Sequence, residues 1–302
     1  MTSGYIPLFS PAVRPANAAG DAAIGDRASL GTYVFSDEIT LAVNVCLATG
    51  RPLLVRGTSG AGKTSLARAL APLLGCEFYE TVVTGRTQAQ DLLWTVDLLR
   101  RLQDAQLNRL SADWGRYVVP GPLWWAFDPS SAAQQQRVAD VKDGDGALPP
   151  GGTEPQRSLL LIDEIDKADP DVPNSLLRPL GDLAFDVIET GQHVAARRPT
   201  PVIIITTNEE RDLPPAFLRR CVELTLPKFD RARLLAIGRA HFPTLDPALA
   251  AAVTDLALES ADKGDRRDAN PAEYLDLLRA CRDLVITPAS PAFQQLAAVV
   301  LG

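Results

Sequence analysis

Cysteine and histidine are scarce in this 302-residue chain: Cys46, Cys76, Cys221 and Cys281 lie far apart with no C-x-x-C pair, and the histidines are only His193 and His241. That excludes a readable zinc site or disulfide framework. Each cysteine stands in an apolar stretch and reads as a small core side chain. No apolar run approaches the roughly 18–20 residues of a membrane-spanning helix, and the N-terminus lacks a basic region leading into an apolar core, so a cytoplasmic protein is expected. Basic residues are in deficit, with 30 Lys and Arg against 37 Asp and Glu and a net charge of −7. With an isoelectric point near 5.0, this argues against a sequence-independent grip on nucleic acid. What is present is ordinary for a globular protein, 46% hydrophobic and 22% charged, and long enough for one large or two unequal domains.

The most informative stretch is Gly57-Thr58-Ser59-Gly60-Ala61-Gly62-Lys63-Thr64, which follows the apolar run Pro52–Val55 and leads through Ser65 into a helical pattern. Strand, loop and helix in that order suit a phosphate site. Glycines let backbone N–H groups wrap phosphate oxygens, Lys63 supplies a cation to the β- and γ-phosphates, and Thr64 offers a hydroxyl to Mg²⁺ at the positive end of a helix. About a hundred residues on, Leu159–Ile162 is an apolar strand ending in Asp163 and Glu164. In a phosphate-loop protein Asp163 suits the Mg²⁺ shell and Glu164 the polarisation of a water attacking the γ-phosphate. The charges that follow, Asp166, Lys167 and Asp169, read as a solvated run. Val202–Thr207 ends in Asn208, whose amide suits the γ-phosphate or the attacking water. Pro214–Cys221 places Arg219 and Arg220 before the next strand, where a guanidinium could meet a transferring phosphoryl on a neighbouring subunit.

Strand-like runs at Glu77–Val83, Ser158–Ile162, Val202–Thr207 and Val222–Leu226 alternate with helical stretches, predicting a parallel α/β sheet with helices on both faces. Residues 1–29 read as an N-terminal arm, and Asp37–Ala48 as a helix ending at Gly50. About seventy residues separate the second and third strands, too many for a crossover helix alone. Within them Asp91–Gln106 is periodic as one amphipathic helix, Tyr117–Trp125 reads as a strand and turn, and Lys142–Gln156 is loop by composition. Trp94, Tyr117, Trp124 and Trp125 make this insert aromatic, which predicts client-contacting anchors, with Arg109–Gly121 as its removable tip. Past Pro227 three helices are expected, beginning near Asp230, at Asp246-Pro247 and at Asn270-Pro271.

Taken together, GTSGAGKT (57–64), LLLIDEIDKADPDVPNSLLRPLGD (159–182), AFDVIETGQHVAARRP (184–199), TTN (206–208) and PPAFLRRC (214–221) resemble the AAA+ ATPases, and within them the MoxR group. DLLWTVDLLRRLQDAQ (91–106) with YVVPGPLWWAF (117–127) resembles that group's helix-2 insert. The resemblance covers residues 30–285. It implies a five-stranded parallel sheet in the order 5-1-4-3-2, a nucleotide-binding core over 30–227 with the insert at about 86–127 and a hairpin at about 184–199, and a helical lid over 228–302. Carried over, Lys63 and Thr64 belong to Walker A, Asp163 and Glu164 to Walker B, Asn208 is sensor 1, and Arg219 or Arg220 is the arginine finger. An adenine contact falls on Tyr33-Val34. The sensor 2 position carries Ala272, so Arg266 and Arg267 just before it are the candidate substitutes. The implied activity is Mg²⁺-dependent ATP hydrolysis in a ring, usually hexameric, that remodels a protein client together with a separate von Willebrand factor A protein. Asp128-Pro129-Ser130-Ser131-Ala132 lacks that domain's metal spacing and reads as a helix cap. Competing readings are a GTP-using restriction motor of the McrB kind, a metal-chelatase motor subunit, and a nucleotide-gated scaffold.

Overall fold

A computed structural model of the protein describes residues 6–11, 33–140, 157–263 and 270–301. The expected loop at Lys142–Gln156 and the candidate residues Arg266 and Arg267 lie outside the described residues. The chain divides into two compact units, one dominated by residues 71–224, the other by residues 225–302 together with 10–40 and 56–70.

Numbered along the chain, α1 (Asp37–Thr49), β1 (Leu53–Arg56), α2 (Lys63–Leu73) and β2 (Glu77–Val82) come first. The insert follows, with β3 (Trp94–Val96), α3 (Leu98–Gln106), β4 (Val118–Pro120), α4 (Pro122–Phe127) and α5 (Pro129–Asp140). Next are β5 (Ser158–Asp163), α6 (Asp171–Ser175), α7 (Leu177–Asp182), β6 (Ala184–Val187), β7 (Gln192–Ala195), β8 (Val202–Thr207), α8 (Pro215–Leu218) and β9 (Val222–Thr225). The chain closes with α9 (Arg231–His241), α10 (Pro247–Lys263), α11 (Pro271–Asp283) and α12 (Pro291–Val300).

The main sheet has the order β2-β5-β8-β1-β9, which is the expected 5-1-4-3-2 read from the other end. β5 runs parallel to β2 and to β8. Every residue of β5 and β8 is buried. Their Leu and Ile runs suit strands covered on both faces, whereas β2 has no fully buried residue and carries Glu77 and Glu80, which blunt an edge.

The insert departs from the predicted single helix over Asp91–Gln106. Its first part is a 3₁₀ turn at Gln90–Leu92 and the strand β3, antiparallel to β4 with Val96 opposite Val118; only Leu98–Gln106 is α-helical. Trp94, Thr95 and Val96 favour a strand when a partner is available, and Asp97 caps the helix by accepting from Arg100 N–H at 2.8 Å. The aromatics are mostly core. Trp94, Tyr117 and Trp124 are buried, and Phe185 of the β6–β7 hairpin stacks on Trp94 at 5.8 Å and meets Trp124 edge-on at 6.0 Å. Trp94 Nε1 donates to Glu189 Oε2 at 2.7 Å, while Trp125 packs on Tyr79. The expected removable tip, Arg109–Gly121, therefore contains core strand β4 and the buried Tyr117.

Near the N-terminus the buried Asn44 on α1 clamps residues 8 and 9. Its Oδ1 accepts from Leu8 N–H and Phe9 N–H at 2.6 and 2.8 Å, and its Nδ2 donates to Phe9 O at 2.7 Å. Cys46, Cys221 and Cys281 are buried free thiols and Cys76 is half-buried; burial pushes Cys46 up to about 12 and Cys76 to about 11. Asp128 caps α5 by accepting from Ser131 N–H at 3.0 Å.

Among the described residues the C-terminal part holds four helices rather than three. Ser290 caps α12 ahead of Pro291, the pairing of cap and proline that starts a helix. Leu234, Val253, Tyr274, Leu277, Leu278 and Phe293 form this bundle's core. Gly238 of α9 faces α11 so closely that a Cβ there would collide with the Tyr274 hydroxyl and lie 3.2 Å from Leu278 Cδ1. Tyr274 is buried and its hydroxyl accepts from Thr254 Oγ1 at 3.2 Å. Gly238→Ala is expected to lower stability by about 1–3 kcal/mol through overpacking, read as an earlier urea or thermal midpoint; an unchanged midpoint would show that the helices separate freely.

Candidate functional site

The loop between β1 and α2 turns on glycines. Gly60 and Gly62 have φ of +79° and +87°, a region in which side chains with a Cβ are strained. A Cβ on Gly60 would also lie 2.6 Å from Asn270 Oδ1, and one on Gly62 3.5 Å from the Tyr33 ring. Lys63 is buried, and its Nζ folds back to donate to the carbonyls of Gly57 and Thr58 at 2.7 and 2.8 Å. This is a backbone cradle with an ammonium held at its mouth, opening a helix whose first N–H groups favour an anion. A polyphosphate fits this donor set. Thr64 and Ser65 occupy the first turn of α2. Tyr33 stands beside Gly62; burial pushes its phenol up to about 12, with the nearby Arg233 guanidinium pulling the other way. Val34 follows in the same irregular segment. Asn270 caps α11 by accepting from Ala272 N–H at 2.9 Å while pressing on Gly60, a contact that sequence periodicity alone does not encode.

A second cluster forms where β5 and β8 end. Ile162 pairs with Ile205, so the next residues meet: Thr206 Oγ1 donates to Asp163 Oδ1 and accepts from Glu164 N–H at 2.9 Å. Glu164 then turns left-handed, with φ of +61°, which aims its side chain off the strand's line. Both carboxylate oxygens are held. Asn208 Nδ2 donates to Oε1 at 3.1 Å and Lys167 Nζ to Oε2 at 2.7 Å; the hydrogen bond to Glu164 holds the Lys167 ammonium above its ordinary value. Chemically, this is a carboxylate positioned by a neutral amide and a cation, next to a second acid anchored by a hydroxyl.

The charges after Glu164 are not a uniformly solvated run. Asp166 is 3% exposed, and its Oδ2 accepts from Asn208 N–H at 3.1 Å and Glu210 N–H at 3.0 Å. It ties the turn after β5 to the turn after β8, where Glu209 is also left-handed at φ of +61°. Alternating acids in sequence cannot reveal this, because the partners are backbone groups forty residues away. The sequence likewise does not single out Thr206, whose hydroxyl is one of two at the end of β8.

Arg219 and Arg220 differ. Arg220 Nη1 donates to Ala216 O at 3.1 Å, and its Nε lies 3.3 Å from where a Gly181 Cβ would stand. Arg219 is exposed and has no side-chain partner among the described residues. Among those residues no cluster of three or more His, Cys, Asp or Glu forms a metal site, and no helix is long and apolar enough to cross a membrane.

An open parallel sheet in this order, with a glycine loop running from β1 into α2 and paired acids ending β5, defines the fold of the AAA+ proteins. A family model for the AAA domain (dynein-related subfamily) matches residues 52–221, more than half of the chain, and the protein belongs to that family. Among solved structures, the Thermotoga maritima RuvB Holliday junction branch migration motor is similar at 16% identity and a TM-score of 0.47, over 87% of this chain and 65% of that one. A variant of the same motor gives 17% identity and a TM-score of 0.49, over 87% and 67%. The chain thus spans about two thirds of the RuvB length. A search of curated proteins found no match.

Replacing Asp166 with Ala leaves two backbone N–H groups without their acceptor. Asp166→Ala is expected to lose about 1–3 kcal/mol of stability, whereas Asp166→Asn, which keeps one acceptor oxygen, loses less. Denaturation midpoints check this ordering, and equal values for both variants would contradict it.

Proposed function

We propose that the protein is a MoxR-type AAA+ ATPase of the cytoplasm that hydrolyses ATP with Mg²⁺ in a hexameric ring and uses the cycle to remodel a protein client, working with a von Willebrand factor A partner. The observation that carries the hydrolytic reading is the second cluster: two acids on one strand end, one anchored by Thr206 and the other held between Asn208 and Lys167. In this reading residues 30–227 are the nucleotide-binding core, 228–302 the lid and 1–29 an arm. Residues Gly57 to Ser65 wrap the phosphates, with Lys63 exchanging its two loop carbonyls for phosphate oxygens. Thr64 and Asp163 hold the metal, which when bound neutralises charge growing on the transferred phosphoryl. Glu164 accepts the proton of the attacking water on a lone pair that the hydrogen bonds from Asn208 and Lys167 leave open. Asn208 orients that water or the γ-phosphate. Tyr33 and Val34 border the base, Arg266 and Arg267 serve in place of a sensor 2 arginine, and Arg219 rather than Arg220 reaches the neighbouring subunit's nucleotide. AAA+ proteins commonly assemble as rings, which supplies the neighbour.

The division between phosphate cradle and water activation sets the first test. Lys63→Ala is expected to abolish nucleotide binding, and Glu164→Gln to keep binding and lose turnover. Nucleotide affinity and steady-state hydrolysis separate the two; normal turnover by Glu164→Gln would remove Glu164 as the base.

Client contact on the insert falls to leucines rather than aromatics. No residue of α3 is buried, and Leu98, Leu99 and Leu102 are 64%, 67% and 56% exposed. Exposed apolar groups clustered on one short helix mark an interaction surface. Changing these three to Ser is expected to leave basal hydrolysis within about twofold, because surface substitutions rarely exceed 0.5 kcal/mol, while abolishing stimulation by the client. Intact stimulation would place the client elsewhere.

A further inference from the structure

Arg51 lies in the turn between α1 and β1, outside the glycine loop that follows β1 and 168 residues from Arg219 in sequence. Its Nη2 donates to Arg219 O and to Cys221 O, both at 2.6 Å, and its Nε donates to Arg220 O at 3.3 Å. One guanidinium thus captures three consecutive carbonyls. The local backbone prepares them. The N–H groups of Arg219, Arg220 and Cys221 turn back onto α8, bonding Pro215 O, Phe217 O and Leu218 O at 3.1, 3.0 and 3.0 Å, so the carbonyls of the same residues are left for an outside donor. Immediately after, Val222 N–H bonds Pro52 O at 2.8 Å, so the clamp and the start of β9 are fixed by neighbouring residues of one short segment, Arg51-Pro52. A planar fork of N–H groups is suited to such a set, and a single ammonium is not.

We propose that Arg51 is a positioning residue for the arginine finger: by fixing the backbone of residues 219–221 it aims the uncommitted Arg219 side chain at the neighbouring subunit. The inference rests on Arg219 acting in trans. The clamp acts on the main chain, and among the described residues the Arg219 guanidinium has no partner, while Arg220 is drawn onto Ala216 O. Without Arg51 the segment can shift by an ångström or so, and a misplacement of that size in a catalytic group can lower the rate by about a hundredfold.

Mixed assemblies provide the test, since a chain with Glu164→Gln can donate a finger but not hydrolyse, and a chain with Arg219→Ala can hydrolyse but not donate. Together they are expected to recover partial activity. Arg51→Ala placed on the Glu164→Gln chain is expected to reduce that recovery about a hundredfold; placed on the Arg219→Ala chain it is expected to change it less than threefold. Equal losses from either placement would reveal a general structural brace and overturn the proposal, as would no loss from either. Absence of recovery with Arg51 intact, in assemblies shown to form, would instead reject the trans finger and the inference with it. Should Arg51→Ala fail to fold, Arg51→Lys, which keeps the cation but not the fork, is expected to show a smaller loss with the same donor-only pattern; a loss on both chains would again overturn it.

Discussion

The parallel pairing of β5 with β8 brings Asp163 and Glu164 alongside Thr206, and the register has no room to slip, because a shift by one residue would turn the buried Ile162 and Ile205 to opposite faces. The strands are buried throughout, so their hydrophobic packing supplies the stiffness that four hydrogen bonds at their ends then use. Thr206 serves both acids, Asn208 reaches Glu164, and Asp166 returns to hold the backbone of Asn208. Loosening any one of these would reach Glu164.

The sheet was legible because its strands are continuous apolar runs bounded by breakers, and the glycine loop ahead of α2 because a backbone cradle needs glycines and a lysine in a fixed order. Asp163, Glu164 and Asn208 could be picked out because each ends such a run. Asp166 and Thr206 could not, since their partners are set by tertiary register. The distinction between Arg219 and Arg220 was equally hidden: adjacent identical residues acquire different environments only once α8 and Gly181 are in place.

The insert shows the opposite error. Leu92, Val96 and Leu99 do recur at helical spacing, yet the first two belong to a 3₁₀ turn and a strand, because pairing with β4 outweighs local periodicity. Aromatic residues were the natural candidates for an exposed interface, but Phe185 of the hairpin gathers Trp94, Trp124 and Phe127 around it. The two short antiparallel sheets are therefore one packed body, and the exposed apolar surface passes to α3.

Glu164 occupies a backbone conformation that asparagine or glycine adopts with less strain, and holding a glutamate there costs about 1–3 kcal/mol. Sequence design for thermal robustness alone would erase it at once, replacing the acid with the residue the turn prefers. A left-handed glutamate is thus a point where local backbone preference yields to tertiary contacts, and the surrounding hydrogen bonds are what keep that angle folded.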